Sequence, residues 1–267
     1  MLRTRILPGL LRAVATNQAR GLTDVALFEI GRVFLAPRRA GKAGRKGGDA
    51  LLPDEPTHVA GVLAGSVRRR PIEPDRPVDG YDALDAVRTV LDALAVDRHR
   101  LVATDRPGFT SGRVSAVEVT TSSGDWVEIG TVGELDPAVG AAAGVESGVA
   151  AFELDVDQLL DAPRRDRTFV TPSPYPPATI DLAFVLPETV TAAAVLGTVR
   201  ATVGDLLEDG RVFDEFRAES LGEGNRSLAF ALRLRAPDRT LTDVEVGELR
   251  QQAIDAVVKG HGAQLRG

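Results

Sequence analysis

The chain has 267 residues, 43% hydrophobic and 26% charged, which is the make-up of a globular protein with room for one large or two ordinary cores. Cysteine is absent, which excludes a disulfide framework and a thiolate metal site and is in keeping with a reducing cytoplasm. A formal net charge of −6 excludes indiscriminate binding of polyphosphate, so any RNA contact must be a local patch, and no apolar run is long enough to span a bilayer.

The chain opens with Arg3, Arg5, Arg12 and Arg20 and no acid before Asp24. Such a start suits an organelle transit peptide, but Pro8-Gly9 would break that helix early. The simpler expectation is a folded helix burying Leu10, Leu11, Val14 and Ala15. VALFEIGRVFL, residues 25–35, reads as a strand with Val25, Leu27 and Val33 inward. Residues 36–56 are rich in Gly, Lys and Arg and lack periodicity, so they read as an exposed, mobile hairpin tip. GRKGG within them lacks the spacing of a phosphate loop.

THVAGVLAG, residues 57–65, is a second strand. YDALDAVRTVLDALAV, residues 81–96, is a helix with Leu84, Val87, Val90, Leu91 and Leu94 on one face. Strands follow at 114–120 and 126–134, a short helix begins near Pro137, and residues 149–160 form a strand running into a helical turn. This half is expected to be mixed α/β with a mainly antiparallel sheet. Five prolines in residues 162–179 mark a domain boundary.

In the second half, Ile180, Leu182, Phe184 and Leu186 alternate inward, leaving Asp181, Ala183 and Val185 on the other face. A helix covers 191–203, and a strand contains RVFDEFR, residues 211–217. In the next strand Leu228, Phe230, Leu232 and Leu234 point one way, while Ser227, Ala229, Ala231, Arg233 and Arg235 point the other. Thr242 and Glu245 form a capping box for the last helix, which ends at Gly260 or Gly262. A short strand over 263–266 completes the order βαββαβ, a ferredoxin-like unit. Its helices share one face, so its other sheet face is open. That face carries Asp181, Ser227, Arg233 and Arg235 between small alanines, a surface able to take nucleobases and phosphates. Solubility of an exposed sheet would account for the same arginines.

The words FDEFR, RSLAF, DRTLTDVEV and GAQLR, in that order, resemble the anticodon-binding domain of the bacterial phenylalanine–tRNA ligase β subunit. LRTRILPGLLRAVATNQARG, VALFEIGRVF, FTSGRVSAVEV, GTVGELDP and AAFELDVDQLL are similar to the same family's class II synthetase-like core. The resemblance implies an α+β chain: a non-catalytic, partial core over 1–161, a linker over 162–179 and a ferredoxin-fold anticodon-binding domain over 180–267. It implies a fragment of a longer subunit of an (αβ)₂ heterotetramer that charges tRNA(Phe) in the cytoplasm with ATP and magnesium. The catalytic α subunit and tRNA(Phe) are the implied partners. This chain is expected to bind no cofactor or metal of its own and to have no catalytic residue.

Asp181, Phe213, Phe216, Ser227, Arg233 and Arg235 are the candidate RNA-binding residues. Strand parity leaves open which of Phe213 and Phe216 stacks on a base. Two positions depart from the family pattern. Ile180 stands where an arginine often precedes the aspartate. In FDEFRAE, Phe216 keeps a ring without a hydroxyl and Ala218 replaces a glycine.

No other chemistry stands out. Arg32 lacks the Arg/Glu surroundings of an ATP site. Glu153, Asp155 and Asp157 alternate and share a face; they are able to collect a divalent cation, but a solvated strand edge is the simpler expectation. His58, His99 and His261 are scattered. Trp126 and Phe109 are expected in the core, and Leu10, Leu11 and Ile30 are candidates to face a partner subunit. Two rival readings are a free-standing tRNA-binding accessory protein and a ferredoxin-like regulatory domain for a small molecule.

Overall fold

The computed structural model describes residues 2–36, 53–67, 75–145, 148–166, 169, 171 and 173–266. These divide into two compact units, Met1–Thr168 and Phe169–Gly267. The Gly/Lys/Arg-rich tip expected over 36–56, GRKGG included, lies largely outside the described residues.

The first unit is built on a six-stranded, wholly antiparallel sheet of order β1-β2-β8-β7-β6-β5. Its strands are β1 (Val25–Arg32), β2 (Thr57–Ala64), β5 (His99–Ala103), β6 (Phe109–Thr120), β7 (Trp126–Leu135) and β8 (Val149–Asp155). A two-stranded ribbon pairs β3 (Ser66–Val67) with β4 (Arg76–Pro77). The helices are α1 (Leu7–Gln18), α2 (Gly80–Ala93), α3 (Pro137–Ala142) and α4 (Val156–Asp161).

Alternation along the strands gives this sheet two apolar faces. Ala60, Val62, Val149 and Ala151 pack with Leu7, Leu10, Leu11 and Val14 of α1. Val59, Ala150, Phe152 and Leu154 pack with Val87 and Leu91 of α2 and Leu159 of α4. Gly61 sits opposite Phe152, and a Cβ built at Gly61 would fall 2.4 Å from the ring, so glycine is needed for the close approach. Asp79 and Asp82 cap α2 reciprocally, satisfying amides that the first helical turn leaves free.

Three expectations for this unit are corrected. Leu10 and Leu11 are buried in their own core, so they do not face a partner. Among the exposed large apolar side chains of this unit, Phe28, 73% exposed, and Ile30, 61% exposed, lie together on edge strand β1. Glu153 and Asp155 are not at a solvated edge, because β8 is a central strand and both are buried. Each has internal work instead. Glu153 accepts the backbone N–H groups of Ile6 and Leu7 at the start of α1, and His58 Nδ1 lies 2.9 Å from its Oε1. Asp155 caps α4, and Asp157 accepts the Thr57 amide. Trp126 is only half-buried, with the guanidinium carbons of Arg98 and Arg100 at 5.5 and 4.2 Å from its ring centroid.

The second unit has the order β9 (Ala178–Pro187), α5 (Ala192–Val203), β10 (Leu207–Phe216), β11 (Asn225–Leu234), α6 (Asp243–His261) and β12 (Gln264–Arg266). The sheet order is β10-β11-β9-β12, all antiparallel, the ferredoxin-like arrangement expected from the sequence. Its core joins Leu182, Phe184 and Leu186 to Phe230 and Leu232 and to Val195, Val199, Ile254 and Val257 of the helices. Phe184 and Phe230 meet edge to face at 6.2 Å. Thr242 and Glu245 form the capping box at the start of α6, and Gly262 closes it in the left-handed region at φ 62°. The chain is therefore α+β.

The proline-rich stretch is tied down at both ends within the respective units. The Asp97 amide donates to Pro163 O, the Arg165 amide to Ala95 O, and Arg235 Nη1 to Ser173 O. Proline removes a donor but keeps its carbonyl acceptor, so such a stretch can still be pinned by its neighbours.

Candidate nucleic-acid interface

The strand registers lay out the open face of the second unit in four rows running from β10 outward. Phe216, Ser227, Val185 and Gln264 form the first, and Asp214, Ala229, Ala183 and Arg266 the second. Arg211, Ala231 and Asp181 form the third, and Asp209, Arg233 and Thr179 the fourth. The middle of the face is floored by alanines, so long side chains at its margins can lie across it.

Arg266 does so. Its guanidinium carbon stands 4.7 Å from the Phe216 ring centroid, which spans the two intervening strands. The stacked pair is a cation–π contact. Beside it Ser227 is 3% exposed, so its hydroxyl sits in the floor of this corner. Asp214 is exposed in the next row. Phe216 is thus the aromatic residue that belongs to the open face. Phe213 falls at the register shift between Val212 and Asp214, has no direct cross-strand partner and is 52% exposed. Parity counting fails on such a bulge, and this is why the sequence left the two rings undecided. Ala218 has extended backbone, φ −156°, so the missing glycine costs no strain there.

Arg233, near the end of β11, and Arg235, just past it, differ. Arg233 is 47% exposed, whereas Arg235 is 14% exposed and donates from Nη1 to Ser173 O. Both face one carboxylate: Glu208 lies 2.5 Å from Arg233 Nε and 3.0 Å from Arg235 Nε. Asp181 is exposed in the third row, opposite Ala231. The structure therefore brings Phe216 and Ser227 together, leaves Asp181 a row or more away, and commits Arg235 inside the chain.

Sequence reasoning did not single out Arg266, Arg211 or Asp214. Arg266 lies in the three-residue strand β12, too short for alternation to be read. At the base of the sheet Glu215 pairs with Arg226 and Arg217. Burial pushes the Glu215 carboxyl up, and the hydrogen bonds and charges of Arg226 and Arg217 outweigh it and hold it below the usual range.

In the first unit, Arg32 pairs with Glu55, and the described residues include no group of three or more His, Asp or Glu side chains placed to hold a metal ion. No helix among them is long and apolar enough to cross a membrane.

Comparison with known proteins agrees with this division. Residues 1–156 match the family model described as the phenylalanyl tRNA synthetase beta chain CLM domain. Residues 173–266 match the ferredoxin-fold anticodon binding domain. The phenylalanine–tRNA ligase beta subunit of Mycolicibacterium paratuberculosis is 39% identical over 283 residues, covering 99% of this chain and 33% of that protein. Those of Thermobifida fusca and Leifsonia xyli subsp. xyli are each 37% identical, covering 100% and 99% of this chain and 34% and 32% of theirs. The chain thus spans about a third of the length of the curated relatives it matches. With the family model covering more than half of its residues, the chain belongs to the phenylalanyl-tRNA synthetase β-chain family.

Proposed function

We propose that this chain is a non-catalytic part of a phenylalanine–tRNA ligase β subunit that docks the catalytic α subunit and grips the anticodon region of tRNA(Phe). The observation that carries the reading is the Phe216–Arg266 pair on an alanine-floored open sheet face, in a unit that matches an anticodon-binding domain. A ring and a guanidinium offer flat surfaces for unstacked bases, exposed Asp214 beside them offers polar atoms to base edges, and buried Ser227 shapes the floor beneath. Arg211 supplies unpaired positive charge to the phosphates, the exposed Arg233 offers a guanidinium already paired with Glu208, and Asp181 lines the same face; Phe213 sits at its rim. Arg235 acts through structure, holding Ser173.

On the first unit, Phe28 and Ile30 are large apolar side chains left outward on an edge strand. Their docking partner in this proposal is the α subunit, in an (αβ)₂ heterotetramer of the cytoplasm. ATP and magnesium serve the holoenzyme's charging reaction; among the described residues of this chain no group of three or more His, Asp or Glu is placed to hold a metal ion.

The test is co-purification of the chain with the α subunit, with tRNA(Phe) and with its isolated anticodon stem-loop. Retention of both partners supports the proposal. Failure to retain the α subunit removes the docking role, and failure to bind the stem-loop removes the anticodon role. A second arm replaces Phe28 and Ile30 with serine. Loss of α-subunit capture with intact stem-loop binding is the expected result.

A further inference from the structure

We propose that Glu208 is a specificity-determining residue: an internal counter-ion that offsets the charge of exposed Arg233 and of Arg235 behind it, and so stops this end of the face from acting as a general receptor for polyphosphate. The inference rests on the reading of the open face as an RNA surface and says how that face rejects the wrong RNA.

The geometry begins with a bulge. The β10–β11 register shifts between Leu207 and Asp209, which leaves Glu208 as an extra residue without a cross-strand partner. A bulge re-aims the side chain it carries, and here the carboxylate is sent to Arg233 near the end of β11 and Arg235 just beyond it. Oε2 lies 2.5 Å from Arg233 Nε and Oε1 lies 3.0 Å from Arg235 Nε. The second contact is an ion pair without a hydrogen bond, since the buried Nε of Arg235 has no acceptor in line. Glu208 therefore serves both cations through charge, and Asp209 stands directly opposite Arg233 in the fourth row.

Exposed Arg233 and, behind it, the half-hidden Arg235 just past β11 would otherwise lend two positive charges to this end of the face and attract any polyanion. With Glu208 and Asp209 beside them, this end of the face is close to neutral. Among the described residues, Arg211 and Arg266 are the open-face arginines with no carboxylate in salt-bridge range, and Arg266 stacks on Phe216. Discrimination then falls to the stacking corner, where shape and base edges count. Building an unfavourable term against wrong partners is a general route to specificity.

The experiment measures binding of the full chain to the tRNA(Phe) anticodon stem-loop and to single-stranded poly(A) over a salt series. Glu208→Gln keeps the size and removes the charge. Its poly(A) affinity is expected to rise about threefold to fivefold at low salt, the scale of one surface ion pair. The log–log salt slope should steepen by about 0.7 for each phosphate newly contacted. Stem-loop affinity should change by less. Glu208→Asp should stay near wild type, and Arg233→Gln added to Glu208→Gln should cancel the gain. Glu248→Gln, at an exposed position of α6, makes the same change in net charge and should leave poly(A) binding unaltered.

Unchanged poly(A) affinity and slope in both Glu208→Gln and Glu208→Ala, with melting curves showing folded protein, would overturn the proposal. So would an equal gain for both RNAs, or an equal gain from Glu248→Gln. If the wild-type chain ignores the stem-loop, the anticodon role falls; if it binds and Glu208→Gln changes nothing, this inference falls alone.

Discussion

The guanidinium of Arg266 stacks 4.7 Å from the ring centroid of Phe216, across two intervening strands of the sheet. The two residues come from opposite edges, and alanines at positions 183 and 229 lie in the row between Arg266 and β10. Phe216→Ala is expected to weaken binding of the anticodon stem-loop by about 1–3 kcal/mol, the range for losing one aromatic stacking surface. Arg266→Ala should cost less and should flatten the salt dependence. Phe216→Tyr should stay near wild type. Fluorescence anisotropy with labelled stem-loop checks all three; wild-type affinity in Phe216→Ala would remove the ring from the site.

Glu153 gives a stability prediction. Its buried carboxylate accepts the amides of Ile6 and Leu7, positions at the positive end of the α1 dipole, and hydrogen-bonds to His58. Glu153→Ala leaves those buried groups without their acceptor and is expected to cost about 2–4 kcal/mol. Trp126 is the chain's single tryptophan and lies in the first unit, so its fluorescence follows that unit alone. The urea midpoint by fluorescence should fall. A midpoint within error of wild type would deny Glu153 its anchoring role.

Gly61 predicts a packing defect without backbone strain. Gly61→Ala should drive a methyl into the buried Phe152 ring and cost about 1–3 kcal/mol. Adding Phe152→Leu should recover part of that loss, because the double change makes the missing room. Additive losses in the double-mutant cycle would argue against direct contact.

Acid sensitivity of the second unit follows from Glu245 and Glu215. The hydrogen bond from the Thr242 amide, then the Thr242 hydroxyl, then Arg239, holds the Glu245 carboxyl below its ordinary value of 4.5. For Glu215 the desolvation that raises its value is outweighed by Arg226 and Arg217, so it too lies below 4.5. A carboxyl lowered in the folded state contributes stability that is present above 4.5 and lost as pH falls through the folded value. Wild type and a Glu215→Gln, Glu245→Gln double variant should therefore differ in urea stability at neutral pH and converge well below pH 4.5. Parallel curves across that range would refute the assignment.

The second unit was readable because β9 and β11 are long enough to alternate cleanly. Leu228, Phe230, Leu232 and Leu234 all reach the core, and Thr242 with Glu245 caps α6 as the T-x-x-E spacing implies. Reading failed where one extra residue enters a strand. The bulges at Glu208 and Phe213 reset the parity of β10, so neither the phenylalanine on the open face nor the carboxylate on the arginines can be counted from β10. It also failed where position in the sheet decides burial. Glu153 and Asp155 look like an exposed acidic stripe until β8 is seen between β2 and β7.

The order of elements and the family were set by local pattern: apolar periodicity, caps, prolines and short runs of familiar words. These depend on neighbours in the chain, so the chain alone determines them. The state of each polar side chain was decided only by the fold. Arg235 is an internal strut and Arg266 a reaching arm because strands distant in sequence come to lie a few ångströms apart. Charge pairing and desolvation act through distance and burial, and those quantities exist only once the sheet has closed its registers.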